Sequence, residues 1–262
     1  MSTIAALREA WEFRNLWRRL VARDITLRYR QTFLGVGWIV LQPVLGAGAF
    51  SLVFGKIARM PSSGVSYFTF ALTGLIGWTA FSGVIVKATS SLIGNSALVS
   101  KVFFPRILLP ISTLGAVVLD YFAGFVVLLI AIVLGASGLH PQLALSLVFT
   151  GALLTMGLGI GLATSALVVK YRDVAYVVSA VIPILLYASP IAYGLEAVPD
   201  NVHFLYELNP LTGLLGGMRW SILGTPLPST NQMLYSFVFS FACLGLGTLI
   251  FLRAEKALAD VI

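Results

Sequence analysis

The sequence predicts an all-α polytopic membrane protein with six transmembrane helices, an N-terminal amphipathic interface helix, and short re-entrant or gate helices between spans five and six. Three observations predict it. Hydrophobic residues make up 58% of the 262 and charged residues only 10%, whereas a soluble domain carries roughly 25% charged residues. Mean hydropathy is +0.96. The charges are also bunched, leaving uncharged stretches at 31–55, 60–86, 107–119, 121–169, 174–195 and 220–252. About 20 apolar residues cross a hydrocarbon core of roughly 30 Å, so most of these stretches suffice for one crossing and two are long enough for more.

In chain order, residues 1–30 come first. Phe13, Leu16, Trp17 and Leu20 share one helical face and Arg14, Arg18, Arg19 and Arg23 the other, which reads as a helix lying in the headgroup region. Asp24 falls on the apolar side, where it is expected to end that helix or cap the next turn. Spans are expected at about 33–55, 67–92, 107–134, 143–169, 174–192 and 233–252. Pro43 removes a hydrogen bond in the first and should kink it. Gly135 to Gln142 punctuates the turn between spans three and four. Residues 193–232 are too long for a turn, and their apolar part around 211–223 is too short to cross, so short re-entrant or interfacial helices are expected. A cytoplasmic tail, 253–262, completes one domain over 1–262.

Orientation follows from the positive charges. An N-terminus inside places seven arginines, Lys87, Lys101, Arg106, Lys170, Arg172, Arg253 and Lys256 on the cytoplasmic side. Only Lys56, Arg59 and Arg219 fall outside, so both termini are expected in the cytoplasm. No short apolar run with a small-residue cleavage site opens the chain, so no cleavable signal is expected. No internal repeat stands out, against a carrier built from inverted repeats.

Residues that could carry chemistry are few. No G-x-x-x-x-G-K-[ST] phosphate loop occurs, so ATP binding by that mechanism is excluded and energy must come from a partner or an ion gradient. There is no Ser/His/Asp set. The one cysteine, Cys243, rules out a disulfide framework, and the two histidines, His140 and His203, stand alone, so no metal site is expected. Asp120 is the carboxylate deepest in a span, either an ion or substrate contact or a hydrogen-bonded structural residue. Arg23, Arg28 and Arg30 crowd the start of the first span, where they suit a lipid phosphate or ordinary anchoring of a positive inner side. Phe33, Trp38, Trp78 and Phe81 are belt or packing aromatics, or else line a channel where flat faces suit sugar rings. Asn95 to Arg106 is short, basic and partly apolar; an exposed Val102-Phe103-Phe104 implies a partner surface, or the segment lies in the headgroups.

Arg23-Asp-Ile-Thr-Leu-Arg-Tyr-Arg-Gln-Thr-Phe-Leu-Gly-Val-Gly-Trp-Ile-Val-Leu-Gln-Pro43 resembles the N-terminal signature of ABC-2 type permeases that export O-antigen, capsule or teichoic acid. Phe103-Phe-Pro-Arg-Ile-Leu-Leu-Pro110, Tyr171-Arg-Asp173, Ser189-Pro-Ile-Ala-Tyr193, Asn209-Pro-Leu-Thr212 and the ending Glu255-Lys-Ala-Leu-Ala-Asp-Val-Ile262 are similar in the same order, over essentially the whole chain.

The resemblance implies a bacterial inner-membrane transport subunit, not itself an enzyme, that acts as a homodimer with two copies of an ABC nucleotide-binding subunit. ATP and Mg would be bound by that partner and no cofactor by this chain. The cargo would be a polyprenyl-pyrophosphate-linked, O-antigen-like polysaccharide moved from the cytoplasmic side; nucleic acid is not an expected partner. The headgroup would enter near Arg23, Arg28, Tyr29, Arg30, Thr32, Leu34 and Gly35. Channel-lining candidates are Phe33, Trp38, Trp78, Phe81 and Asp120. Asn95, Ser100, Lys101, Val102, Phe103, Phe104 and Pro105 would couple to the ATPase, and Asn209, Pro210, Gly213 and Arg219 would belong to the outer gate. The alternatives are a related permease for teichoic acid, capsule or a small lipophilic drug, and an ion-coupled carrier hinging on Asp120.

Overall fold

The computed structural model describes residues 12–29, 37–135, 138 and 140–258, and every regular element among them is helical. In chain order these are α1 (Arg14–Tyr29) and α2 (Gly37–Phe50), which runs on as a π-helix over Ser51–Ile57. Next come α3 (Tyr67–Gly94), α4 (Ser96–Lys101) and α5 (Leu108–Leu134). A 3₁₀ turn, Pro141–Leu145, opens α6 (Ser146–Lys170), and α7 (Asp173–Ala188) follows. Two 3₁₀ turns, Leu195–Ala197 and Asp200–Val202, lead to α8 (His203–Glu207), α9 (Pro210–Leu223) and α10 (Thr230–Leu258).

Five helical stretches among the described residues are long and apolar enough to cross a membrane: 37–57, 67–94, 108–134, 141–170 and 230–255. The expected fifth span is shorter. Its helix, α7, has 16 residues and stops at Ala188 instead of running to residue 192. Ser189 precedes Pro190, and proline's ring disfavours the helical region for the residue before it; Ser189 is extended, at φ −112° and ψ 150°.

The amphipathic helix corrects a second expectation. α1 does not end or restart at Asp24 but continues to Tyr29. Asp24 turns toward α5 instead, where its carboxylate accepts a hydrogen bond from Ser112 Oγ at 3.3 Å. Leu20 is buried beside it, and Val21 sits where a side chain on Gly115 of α5 would be. Further along, α2 passes through Pro43 without ending.

The core centres on α3, buried along nearly its whole length, with α5 and α6 packed on it and α10 packed on α6. α6 can lie between two helices because its faces lack side chains where backbones meet. A Cβ on Gly157 would come within 2.7 Å of the Phe81 carbonyl oxygen, and one on Gly161 within 2.7 Å of Ala88 Cβ. On the other face Gly159 meets the backbone of Cys243 and Gly247 in α10. The bundle has two distinct ends. α1, α4 and the C-terminal part of α10 gather at one through a cluster including Leu20, Leu92, Phe104 and Phe251. The other holds α9, the 189–194 turn and the start of α3; these are called the α1 end and the α9 end.

Candidate functional site

At the α1 end, α3 ends at Asn95, whose side-chain amide donates to the Ser91 carbonyl at 2.8 Å. The six-residue α4 follows, with Ser100 and Lys101 on the surface. Val102 is extended, at φ −128° and ψ 132°. Successive side chains of extended chain point to opposite sides, and this splits the two phenylalanines. Phe103 is 90% exposed; Phe104 is 5% exposed and packed in the cluster with Leu20, Leu92, Val99 and Phe251. The expected exposed trio Val102-Phe103-Phe104 is therefore a pair. Pro105, half-buried, accepts from the Leu108 N–H at 3.1 Å. The Arg106 backbone N–H donates to Glu255 Oε1 of α10 at 3.0 Å, tying the last span to the base of this loop.

The expected headgroup residues are only partly visible. Arg23 forms an ion pair with its neighbour Asp24 at 2.8 Å, a partly exposed contact of small energetic weight. Arg28 and Tyr29 form the last turn of α1. Arg30, Thr32, Phe33, Leu34 and Gly35 lie outside the described residues.

Midway along the bundle, Asp120 has a partner the sequence reading did not assign. Lys87 Nζ lies 3.3 Å from Asp120 Oδ2, joining α3 to α5. The pair lines a cavity of about 490 Å³ between α2, α3 and α5, together with Gln42, Thr79 and Ser82. Lys87 also borders a second cavity of about 510 Å³ that reaches Asp24, Ser91 and Asn95. Lys87, reckoned with the cytoplasmic charges, lies in the C-terminal part of α3, inside the span expected at 67–92. Opposite charges in consecutive, antiparallel spans were the available signal. Of the channel candidates, Trp38 is 41% exposed, but Trp78 and Phe81 are buried with ring centroids 5.7 Å apart. Their faces are used in packing within this chain.

The α9 end is held together by contacts within its own chain. Asn209 Oδ1 caps α9 by accepting from the Leu211 N–H at 3.0 Å, with Pro210 at the first helical position. Its amide also donates to Ser189 Oγ at 3.0 Å, fastening α9 to the end of α7. Gly213 lets Ser236 of α10 come close, and Gly224, at φ +68°, ends the helix in the left-handed conformation glycine adopts freely.

Arg219, expected at the outer gate, is 4% exposed. Its guanidinium donates to the Pro190 and Ile191 carbonyls at 2.6 and 2.5 Å and lies 3.9 Å over the Phe70 ring. Gly74 leaves room for it, since a Cβ there would sit 2.5 Å from Arg219 Nη2. The neighbouring Ala192 carbonyl accepts from Tyr67 Oη. The Tyr193 hydroxyl donates to the Tyr187 carbonyl at 2.6 Å and meets Tyr206 Oη at 2.7 Å. Burial, reinforced by Tyr206, pushes the Tyr193 phenol well above its ordinary value, so it stays a neutral donor. A buried turn must satisfy its backbone carbonyls, and Arg219 with Tyr67 does this for 190–192. Tyr67 and Phe70 are neighbours of this turn that the sequence reading did not assign to the gate; an arginine set in an apolar, glycine-rich helix beside a Ser-Pro break was the signal.

Among the described residues no three His, Cys, Asp or Glu side chains gather as a metal site. What the arrangement offers is one protruding phenylalanine at the α1 end, a cavity along the bundle that holds the Lys87–Asp120 pair, and a turn at the α9 end whose carbonyls are bonded. The five apolar crossings and these features define a polytopic membrane protein. Residues 15–223 match the ABC-2 type transporter family, and the chain belongs to that family.

Similar proteins include the O-antigen export system permease protein RfbA of Myxococcus xanthus, 29% identical over 99% of this chain and 100% of that one. Another of that name from Klebsiella pneumoniae is 28% identical over 75% and 76%. The polysialic acid transport protein KpsM of Escherichia coli is 24% identical over 91% and 93%.

Proposed function

We propose that this chain is the membrane half of an exporter that moves a polyprenyl-pyrophosphate-linked, O-antigen-like polysaccharide from the cytoplasmic side across the inner membrane. The observation that carries the reading is full-length similarity to an O-antigen export permease in a chain without a phosphate loop. Two copies would form the path, and two ATP-hydrolysing subunits, holding ATP and Mg, would drive it. In this reading both termini and the α1 end face the cytoplasm, α7 supplies the sixth crossing, and α9 sits re-entrant at the outer mouth. Phe103, almost fully exposed beside α4, is then the knob that seats in the ATPase subunit. The arginines at 23, 28 and 30 meet the anionic headgroup as it enters from the inner leaflet.

The ion-coupled alternative loses support from Lys87: an acid already balanced by an ammonium group has a structural account and needs no proton relay. Deleting the gene in its host tests the proposal. The expected outcome is loss of surface polysaccharide, with lipid-linked polymer accumulating inside the cell. Surface polysaccharide at the parental level would overturn it.

A further inference from the structure

Two cavities meet at Lys87. One, of about 490 Å³, lies between α2, α3 and α5, and the other, of about 510 Å³, leads toward the α1 end past Ser90, Ser91 and Asn95 to Asp24. Along α3 the first runs from Lys87 back to Leu75, a rise of about 18 Å. The hydrocarbon of one leaflet is about 15 Å deep, half of a core of roughly 30 Å. Lys87 stands seven residues before the end of α3 at Gly94, about 10 Å along the axis. Centred on the hydrocarbon core, the 28 residues of α3 are about 42 Å long and leave Lys87 about 4 Å inside its boundary.

The two parts of this groove differ in polarity. Ile39, Pro43, Leu75 and Val117 wall the deeper part. The hydroxyls there are turned back on their own helix, Thr79 to the Ile76 carbonyl and Ser82 to the Trp78 carbonyl. α2 covers the slot loosely, with only Ile39 and Ala47 of its residues buried, and the lining residues Gln42, Thr79 and Val86 are exposed. The slot therefore opens on the flank of the bundle. At its shallow end the Lys87 and Asp120 side chains are 32% and 27% exposed, so both can touch an occupant. An ammonium carries three donors and a carboxylate about four acceptor sites, more than one mutual bond uses.

A head region of both signs above an apolar slot one leaflet deep is the complement of a phospholipid. Charge selects which one. A phosphate suits Lys87, but a headgroup that is only anionic sets its charge against Asp120 and Asp24, a costly arrangement inside a membrane. A zwitterionic head brings its own cation to the carboxylate. A primary ammonium donates N–H bonds to it, and a quaternary one has none to donate.

We propose that this groove binds one phospholipid with a phosphoethanolamine head. Its phosphate meets Lys87, its ammonium meets Asp120, and one acyl chain lies in the slot toward Leu75, filling the gap that α2 leaves against α3 and α5. Only the assignment to the inner leaflet rests on the export reading; the binding chemistry does not.

The test titrates the full-length, lipid-stripped protein with phosphatidylethanolamine, phosphatidylcholine and phosphatidylglycerol of identical chains, and counts bound lipid by native mass spectrometry. The ethanolamine lipid is expected to bind about tenfold more tightly than the choline lipid, the worth of a charge-assisted hydrogen bond. Asp120→Asn is expected to bring the two within about twofold of each other. An ethanolamine lipid with a photoreactive acyl chain is expected to label residues 39–46 and 117–121, a result that needs no variant to fold. Equal binding of the ethanolamine and choline lipids, tighter binding of the glycerol lipid, a preference kept by Asp120→Asn, or labelling elsewhere would each overturn the proposal. Displacement by an equimolar short polyprenyl diphosphate would overturn it too, and give the groove to the cargo. Lipid selectivity is read on purified protein, so surface polysaccharide at the parental level after gene deletion would remove the cargo assignment and leave the lipid site standing.

Discussion

The two ends of the bundle each carry a short helix with basic residues nearby, and they are built to opposite purposes. α4 at the α1 end has one buried residue in six, Val99, and beside it Phe103 stands almost wholly in the open. α9 at the α9 end is buried on most of its surface, including its arginine. Lys101 is exposed where Arg219 is fully enclosed. The difference lies in what each helix finds inside its own chain. The turn after α7 gives α9 carbonyls to bind, and α3 gives it a ring, Phe70, to lie on. Nothing in the described chain covers Phe103. One end is closed over by its own chain, and the other leaves an aromatic ring uncovered.

The largest effect tests the end covered by its own chain. Arg219→Ala leaves the Pro190 and Ile191 carbonyls buried without donors and removes the guanidinium from Phe70. Each buried carbonyl left without a donor costs on the order of 1–3 kcal/mol. The expected outcome is a large drop in melting midpoint in nanodiscs and protease cleavage between 189 and 194. Arg219→Lys should recover only part of this, since an ammonium group cannot span two carbonyls as a planar fork does. An Arg219→Ala protein as stable as the parent would show that the turn is held otherwise and erase the contrast.

A smaller loss is expected at the other end, and only at one of two adjacent residues. Phe104→Ala empties the cluster shared by α1, α3 and α10, at about 3 kcal/mol. Phe103→Ala removes a ring that touches solvent over 90% of its surface and should leave stability within about 0.5 kcal/mol. Equal effects on melting would mean that the alternation through Val102 is not the state of the protein.

The gap between those neighbours also marks what sequence could reveal. Hydrophobic runs located the long helices because lipid crossing needs length, a property of the chain alone. α3 and α5 were placed within two residues, while α10 starts three residues before its expected span and runs six residues into the expected tail. The misread features depend on partners distant in sequence. Asp24 looked like a cap until Ser112 of α5 came beside it, and Arg219 was only an outer-side charge in a gate segment until the 189–192 turn folded over it. Phe103 and Phe104 are the same residue type, one apart, and only the backbone after α4 separates them. The Ser-Pro break at 189–190 was local and legible, yet the span was drawn through it on hydropathy. The headgroup candidates from Arg30 to Gly35 lie outside the described residues.

Between the two ends, Asp120→Asn measures the ion pair that bridges α3 and α5. Asparagine leaves the Lys87 ammonium without its counter-charge within the bundle, and the expected outcome is a lowered melting midpoint, by less than Arg219→Ala gives. ATP-dependent export should persist, because an amide still accepts a hydrogen bond from Lys87. Loss of all transport with assembly intact would restore the ion-coupled reading and make the middle of the bundle, rather than its ends, the working part.

The smallest effect on stability should be the largest on coupling, and it bears directly on the end with the uncovered ring. Lys101→Glu reverses an exposed charge, and Phe103→Ala deletes the exposed ring, so neither disturbs a buried contact of this chain. If α4 and the residues after it seat in an ATP-hydrolysing subunit, both variants should assemble normally in the membrane while surface polysaccharide falls. ATP hydrolysis by the complex should continue but lose its dependence on cargo. Phe104→Ala should lower export too, but in step with the amount of folded protein, which separates a docking residue from a packing one. Normal export in both the Lys101 and Phe103 variants would sink the docking assignment, and the protruding ring would then be a headgroup anchor of the kind that aromatic residues supply at any membrane interface.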